Sequence, residues 1–487
     1  MQERSCRWTA ARLADHQAKS VARLRQFAVT RSPFYRAFHR GLEQRPLQQL
    51  PILTKDEMME RFDDLVTDRD VKLADAEAYL RTQDGTELFR DRYVVMSTSG
   101  STGRRGVFLF GPREWTRALA SITRPIGWVR SAVKPTGKGP PRSALIAASA
   151  PWHFSARVGR ALATRIVPTL RLDAATPIEQ MVARLNEWQP VSMATYPSVL
   201  RELAAAQIAG ALNIRLQVIA SSAEVLTAET REAVKRAWGE ITLQDTYGAT
   251  EYAPIATECM YGQKHLFEDG AVIEVVDDDG RHVAPGELGS RLLLTIFERF
   301  TQPLIRYEIS DRVRLNGEPC SCGRPYRVIE SIEGRQEDVL YFERASDVPA
   351  ANIGHGARSS GRAEPAHAAA SRGVDRAEMD SQQRDSGSAR EHTVAVHPNL
   401  FHDALERFAV TAWQVVHDDA ALTIRVLGAQ DESLRNAIDR EIRAMLAAAG
   451  AHAPRIDVRA VDQLERGATG KAPLIISRRL QSPRTSH

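Results

Sequence analysis

Apolar residues recur along this chain with two spacings, and the change from one to the other divides it. From the amino terminus to about Phe27 the pattern is helical and mixed in charge, and Arg31-Ser32-Pro33-Phe34-Tyr35 interrupts it. Leu50-Pro51-Ile52-Leu53 leads into Thr54-Lys55-Asp56-Glu57, the pattern of a capping box in which Thr54 and Glu57 satisfy each other's orphan N–H groups. Tyr93-Val94-Val95-Met96 and Val107-Phe108-Leu109-Phe110 predict two short strands, with a helix after Gly111-Pro112. Strands at Ala144–Ala148, Gln217–Ala220 and Ile241–Leu243 then alternate with helices. One helix opens at Thr176-Pro177-Ile178-Glu179, with a cap, a proline at the first helical position and Met181, Leu185 and Trp188 on one face; another runs from Thr227 to Trp238. This alternation predicts an α/β fold of parallel sheets flanked by helices.

Around Gly270 the texture becomes β-rich. Ala271–Val276, the turn Asp277-Asp278-Asp279-Gly280 and Arg291–Leu294 read as strands joined by hairpin turns, and Pro303–Arg314 and Tyr326–Leu340 continue in that style. The expected large domain is 1–336, with a β-rich subdomain over about 255–335. Ser346–Arg390 is rich in Ala, Arg, Ser and Gly and nearly empty of aromatics and large aliphatics, so a disordered insertion is expected there. Residues 391–487 read as a small α+β domain. Its helix is expected over Ser433–Ala449, and the loop Glu465–Pro473 carries one lysine, Lys471.

Composition narrows the class. A chain of 487 residues is too long for one core, and 43% apolar with 26% charged residues is the balance of a globular protein. A net charge of +4 with nearly balanced signs gives no reason to propose nucleic acid as a partner. Four cysteines are too few for a disulfide scaffold, and no apolar run is long enough to span a bilayer, so a cytoplasmic enzyme is expected; the oligomeric state is left open.

Ligands in parallel α/β folds sit beyond the carboxyl ends of strands, where three loops hold reactive residues: Ser97–Gly106, Ser221-Ser222-Ala223-Glu224 and Asp245–Glu251. The first packs glycines and hydroxyls, Ser99-Gly100-Ser101-Thr102-Gly103, into a run whose N–H groups can cradle phosphate; a mobile hairpin is the competing reading. Tyr247-Gly248-Ala249-Thr250-Glu251 offers a ring for a planar base, a hydroxyl for a phosphate and a carboxylate for Mg²⁺, against an ordinary turn with a solvated glutamate. Asp311, closing Arg306–Asp311, can accept both hydroxyls of a ribose or simply form a turn. Cys259, His265, Cys320 and Cys322 would complete a closed tetrahedral Zn²⁺ site of structural type, with reduced, partly buried cysteines as the alternative.

Taken in order, Ser99–Gly103, Tyr247–Glu251, Arg306–Asp311, Gly334-Arg335 and Gly470-Lys471 resemble the adenylate-forming superfamily, nearest its phenylacetate–CoA ligase-like branch. Ser32–Tyr35, Leu53-Thr54-Lys55 and Cys320-Ser321-Cys322-Gly323-Arg324 add to the likeness, which covers nearly the whole chain outside 346–390. The resemblance implies activation of a carboxylic acid by ATP and Mg²⁺ as an acyl-adenylate, then transfer to a thiol, CoA first. A carrier protein or an amine is the alternative acceptor, and a degenerate binding or assembly protein a further alternative. It implies that Ser99–Gly103 hold the β- and γ-phosphates, Tyr247 stacks on adenine and Thr250 approaches the α-phosphate. Glu251 would bind Mg²⁺, Asp311 and Arg335 would hold the ribose, and Lys471 would bridge the carboxylate and α-phosphate. Ser222, Ala223, Glu224, Asp245 and Gly248 complete the implied nucleotide site. Trp152-His153-Phe154, Tyr196-Pro197-Ser198 and Ser222-Ala223 would line a pocket for an aryl or medium-sized apolar acid. Glu337-Asp338 fall at the implied hinge, in 337–345. Arg104-Arg105-Gly106 replaces the branch's usual phosphate-loop ending, Ile309-Ser310 its Thr-Gly, and Glu337 its hinge aspartate.

Overall fold

The computed structural model describes residues 5–98, 105–129, 141–162, 167–335, 339–345, 393–396, 398–405, 407–408, 410–418, 421–467 and 472–477. The fold is α/β. Hydrogen bonding pairs β1 (Val94–Ser97) with β2 (Val107–Phe110) as an antiparallel hairpin, every residue of which is buried. Then come β3 (Ser143–Ala147), β4 (Thr169–Asp173), β5 (Ser192–Thr195), β6 (Val218–Ser222) and β7 (Thr242–Tyr247), which form a parallel array in the order β4-β3-β5-β6-β7. The helices Ile178–Trp188 and Pro197–Ile208 bury Met181, Leu185, Val199, Leu200 and Leu203 in the core that also holds Ile146, Met193 and Ile219. At about 25 cal/mol per Å² of apolar surface, each such fully buried side chain contributes roughly 1.5–3 kcal/mol before entropy is counted.

The strands of residues 255–335 divide between two sheets. β8 (Ala256–Glu258), β9 (Lys264–Leu266), β13 (Asp311–Asn316) and β14 (Val328–Arg335) extend the parallel array into nine strands, ordered β13-β14-β9-β8-β7 at that side. β10 (Ala271–Val276), β11 (Arg291–Ile296) and β12 (Tyr307–Ile309) form a separate antiparallel sheet that shares a core with the amino-terminal helices and the β1–β2 hairpin.

Local chemistry explains several boundaries. The helix Ala10–Arg31 ends at Ser32, and a new helix, Pro33–Phe38, begins at once. Pro33 lacks the N–H a continuing helix needs but suits a first helical position, while Ser32 Oγ accepts the Tyr35 amide at 3.3 Å. The interruption is therefore a cap shared by two helices. Thr54 Oγ1 accepts the Glu57 amide at 3.2 Å, the threonine half of the expected box. The helix expected from Thr176 starts one residue later, at Ile178, with extended Pro177 in the cap position and no side-chain cap. The first helical hydrogen bonds run from the Gln180 and Met181 amides to Pro177 O, both at 3.1 Å, so the helix begins from Pro177 rather than from Thr176.

The carboxyl-terminal unit holds a four-stranded sheet and the helix Glu432–Ala448, capped by Asp431. The sheet comprises β17 (Ala412–His417), β18 (Ala421–Leu427), β19 (Arg455–Ala460) and β20 (Ile475–Ser477), after β15 (Leu340–Glu343) and β16 (Thr393–Val396) have paired antiparallel. Leu340 and Phe342 share a core with Val396, Phe401 and Trp413, and Glu343 pairs with Thr393. Residues 346–390 lie outside the described residues. No helix among those described is long and apolar enough to cross a membrane.

Candidate functional site

The end of β7 is where the pieces converge. Asp311 opens the edge strand β13 and lies in register with Arg335 at the end of β14. The Tyr247 hydroxyl donates to Asp311 Oδ2, and Arg335 Nε sits 3.5 Å from Oδ1. One carboxylate, 9% exposed, thus faces a phenol and a guanidinium. Burial, then the Asp311 charge, pushes the Tyr247 phenol well above its ordinary value, so it stays a donor. Asp311 is accordingly more than a turn former.

Glu251 is buried as well, and its Oε1 accepts from the Tyr307 hydroxyl at 3.2 Å. Burial holds its carboxyl above the usual range, opposed by hydrogen bonds from backbone and from Tyr307 and by the Arg335 charge. A solvated turn glutamate would show neither feature. Gly248 between them is exposed, and a Cβ there would approach Ala253 Cβ to 3.2 Å, which leaves little room for a side chain. Thr250 is half-buried.

Ser222 pairs with Thr246 across β6 and β7, so the Ser222–Glu224 loop lies beside the Tyr247 turn. Ala223 adopts φ +74°, a left-handed conformation that costs a non-glycine residue of order 1 kcal/mol or more and marks the turn as over-determined by its surroundings. Glu224 Oε2 accepts the Ser198 amide at 2.9 Å, fixing this loop to the start of the helix Pro197–Ile208. Asp245 pairs with Lys264 Nζ at 2.6 Å, and its amide donates to Glu258 at 2.9 Å.

The expected acid-pocket segments meet through a polar chain. His153 Nδ1 lies 2.9 Å from Ser155 Oγ, which lies 3.3 Å from the Tyr196 hydroxyl; that oxygen also accepts the Ala148 amide at 2.9 Å. Half-buried Phe154 meets Trp115 edge-to-face, with ring centres 6.1 Å apart. The Ser97 amide donates to Trp152 O at 3.1 Å, placing this segment against the base of the glycine-rich loop. That base is closed by Thr98 N to Gly106 O at 3.0 Å and Gly106 N to Thr98 Oγ1 at 2.9 Å. Pro197 is buried and Ser198 half-buried beside Tyr196.

A family model described as AMP-binding enzyme matches residues 26–293, more than half of the chain. The chain belongs to this family. The match takes in Ser97–Gly106, the Ser222–Glu224 loop and Tyr247–Glu251, and ends before Asp311 and Arg335. Among curated relatives, protein CapK of Staphylococcus aureus is 24% identical over 312 residues, 63% of this chain and 63% of CapK. The phenylacetate-coenzyme A ligase of Thermus thermophilus is 27% identical over 179 residues, 35% of this chain and 40% of that ligase. The chain therefore spans less than two thirds of the curated relatives it matches. A crystal structure of 2-hydroxyisobutyryl-CoA ligase in the postadenylation state, in complex with R3-HIB-AMP, aligns with TM-score 0.64 at 18% identity. It covers 95% of this chain and 90% of that one, a likeness of fold.

For this AMP-binding enzyme the expected Ser99–Gly103, Glu337, Asp338 and Lys471 lie outside the described residues. Sequence reasoning passed over Gln414, which grips both ends of the stretch around Lys471. Its buried amide donates to Glu465 O and Pro473 O, both at 2.9 Å, and accepts from Glu465 N at 3.2 Å and Arg425 Nη1 at 3.1 Å. A polar residue inside the apolar run Trp413-Gln414-Val415-Val416 was the available signal. Arg466 pairs with Glu202, joining this loop to the helix that follows Tyr196. Sequence reasoning also gave no role to Tyr307, the donor to Glu251. Cys259, His265, Cys320 and Cys322 come together as one cluster, away from the Tyr247 turn on the far ends of β8, β13 and β14.

Proposed function

We propose that this chain activates a carboxylic acid with ATP as an acyl-adenylate and passes the acyl group to a thiol, with CoA as the first candidate. The observation that carries the proposal is the Asp311 carboxylate held between Tyr247 and Arg335 beside buried Glu251, within the fold of an AMP-binding enzyme. In the first half-reaction an oxygen of the acid attacks the α-phosphorus and the bond to pyrophosphate breaks. In the second, the thiol sulfur attacks the acyl carbon, AMP leaves with the electron pair, and the thiol proton goes to solvent. Phosphoryl chemistry of this kind needs positioning and charge dispersal more than a covalent catalyst.

Each residue then has a task. Tyr247 supplies its ring to adenine while its hydroxyl orients Asp311; Asp311 and Arg335 take the ribose hydroxyls. Ser99, Gly100, Ser101, Thr102 and Gly103 cradle the β- and γ-phosphates, and Thr250 and Lys471 approach the α-phosphate. The Ser222-Ala223-Glu224 turn and Gly248 give backbone close access to the nucleotide, and Asp245 braces β7 through Lys264. Glu251 fits Mg²⁺: its ionised form is disfavoured by burial, and a divalent cation is the partner that would favour it. Bound there, Mg²⁺ would offset the charge of the phosphates. Trp152, Phe154 and Pro197 offer apolar surface, with His153, Tyr196 and Ser198 as polar points, which suits an aryl or medium-sized apolar acid. The named phenylacetate-coenzyme A ligases among the relatives support that class.

The deciding experiment is acid-dependent exchange of labelled pyrophosphate into ATP across a panel of aryl and aliphatic acids, followed by product analysis with and without CoA. Exchange plus an acyl-CoA product supports the proposal. Exchange with no CoA ester moves the acceptor to a carrier protein or an amine. No exchange with any acid overturns it in favour of a binding role.

A further inference from the structure

The cysteine cluster takes no part in ATP chemistry, and its geometry points to a ligand of its own. Ligand atoms of Cys259, His265, Cys320 and Cys322 all lie within 4.8 Å of one another. Cys259 Sγ is 3.8 Å from Cys320 Sγ, and Cys322 Sγ is 3.2 Å from His265 Nε2. A tetrahedral Zn²⁺ with the usual Zn–S and Zn–N bonds has S···S edges of about 3.8 Å and S···N edges of about 3.6 Å. A disulfide would need sulfurs at about 2.05 Å. These two separations match edges of a coordination tetrahedron to within about 0.4 Å, and none of the remaining ones exceeds 4.8 Å.

Two separate turns present the sulfurs by the same hydrogen-bond scheme. In Cys259-Met260-Tyr261-Gly262, the Tyr261 amide donates to Cys259 Sγ at 3.4 Å and the Gly262 amide to Cys259 O at 2.9 Å. In Cys320-Ser321-Cys322-Gly323, the Cys322 amide donates to Cys320 Sγ at 3.5 Å and the Gly323 amide to Cys320 O at 3.1 Å. Gly262 and Gly323 adopt φ +70° and +73°, the left-handed conformation that closes each turn. His265 is fully buried, and its Nδ1 lies 3.2 Å from the Tyr326 carbonyl, which can only accept. The proton therefore belongs on Nδ1, leaving the Nε2 lone pair facing Cys322, the arrangement of a metal-ligating histidine. Arg324, two positions after Cys322, stacks on Trp128 with its guanidinium carbon 4.1 Å from the ring centre.

We propose that Cys259, His265, Cys320 and Cys322 bind one Zn²⁺ in a closed, structural site. Uptake releases the three thiol protons to solvent and leaves a net charge of −1, which Arg324 offsets. Four protein ligands leave no coordination position for substrate or water. The site also has mechanical work to do. β9 and β14 join the two parts of the nine-stranded sheet through only two registered pairs, Lys264 with Ile329 and His265 with Val328. The metal clamps the turn after β8 to the turn between β13 and β14, across that short joint. The six residues of β13 separate the clamp from Asp311, roughly 20 Å at the usual strand rise, so it supports the fold rather than the chemistry.

The proposal stands or falls independently of the ligase reading, because its first readout is metal. The full chain, purified without chelator, is expected to carry about one zinc by mass spectrometry. Cys259→Ser and Cys322→Ser should bring it to background, whereas Cys6→Ser should retain it. Should the serine variants fail to fold, mercurial titration of the wild type serves instead: zinc should be released in step with three thiols. Well under one zinc per chain after purification in zinc-supplemented buffer, with all four thiols reacting at once in the native protein, would overturn the site. Chelator stripping should lower the melting temperature while the rate of the folded fraction changes less than about twofold. Lost turnover with an unchanged melting temperature would overturn the structural assignment.

Discussion

Replacing Asp311 separates nucleotide recognition from stability, because both oxygens of its carboxylate have identified neighbours. Oδ2 accepts the Tyr247 hydroxyl and Oδ1 faces Arg335 at 3.5 Å. In the proposed complex the same carboxylate also accepts two ribose hydroxyls. A hydrogen bond to a charged group is worth about 1.5–3 kcal/mol, so Asp311→Ala forfeits about 3–6 kcal/mol of nucleotide binding. That is roughly a 10²–10⁴-fold loss in kcat/KM for ATP. Alanine also strands the half-buried Tyr247 hydroxyl, which costs the fold about 1 kcal/mol. Asp311→Asn keeps one carbonyl acceptor and most of the shape, and is expected to lose only about 2–3 kcal/mol, roughly 30–150-fold. Pyrophosphate exchange with ATP, 2′-deoxy-ATP and 3′-deoxy-ATP reads the contact directly. Wild type should prefer ATP over both deoxy analogues, and Asp311→Ala should treat all three alike while its KM for the acid stays within about threefold. An alanine variant that still discriminates against the deoxy analogues would refute the assignment, however large its loss of activity.

Glu251→Gln tests the burial of that carboxylate through pH. Because its folded pKa is raised, the native chain holds the proton more tightly than the unfolded one; this contribution is intact below the ordinary value of 4.5 and lost as pH rises through the raised folded value. Without nucleotide or Mg²⁺, Glu251→Gln should melt higher than wild type near neutral pH, by about 1.4 kcal/mol per unit of upward shift, yet exchange pyrophosphate far more slowly. An equal or lower melting point would count against a carboxylate whose ionised form is disfavoured by burial. Lys471→Ala is expected to abolish exchange and spare thioester formation from supplied acyl-adenylate; loss of both steps would argue against a lysine used in adenylation alone. Gln414→Leu strands the Glu465 and Pro473 carbonyls and should cut exchange about tenfold or more with the second half-reaction retained, judged against its melting temperature. Equal loss in both steps would reduce Gln414 to a packing residue.

How much of this was legible in the sequence depended on the range of the interaction involved. The parallel array followed from local alternation, and Thr54 announced its cap because a cap reaches only three residues. The Thr176 cap failed although Ser32-Pro33 presents the same hydroxyl-proline pair and caps its helix, so that local signal alone did not decide the boundary. What no local pattern could supply was pairing: which strands of 255–335 would join the large sheet, or that Asp311 would meet a hydroxyl 64 positions away. Individually Tyr247, Glu251 and Asp311 each had a plain turn as a rival explanation. Burial decides for Glu251 and Asp311, because a carboxylate removed from water requires partners that an exposed turn does not.

The same physics ranks the two halves of the site by rigidity. Tyr247, Glu251 and Asp311 are fixed by side-chain bonds to strand residues of the large unit, so the nucleotide's base and ribose would meet a preformed surface. Glu465 and Pro473, on either side of Lys471 in sequence, are held within the small unit by Gln414, and Arg466 meets the large one by pairing with Glu202. Burial raises the Glu202 carboxyl, an effect larger than the opposing pull of Arg466, so the pair is costly to keep desolvated. A contact of that kind is poorly suited to permanent cement and well suited to one that opens between steps. Glu202→Gln, which removes the charge but keeps a hydrogen-bond acceptor for Arg466, should therefore change the folding stability by no more than about 1 kcal/mol while shifting the ratio of adenylation to thioester formation. Measured half-reactions that fall together, or not at all, would show that this contact does not choose between the two steps.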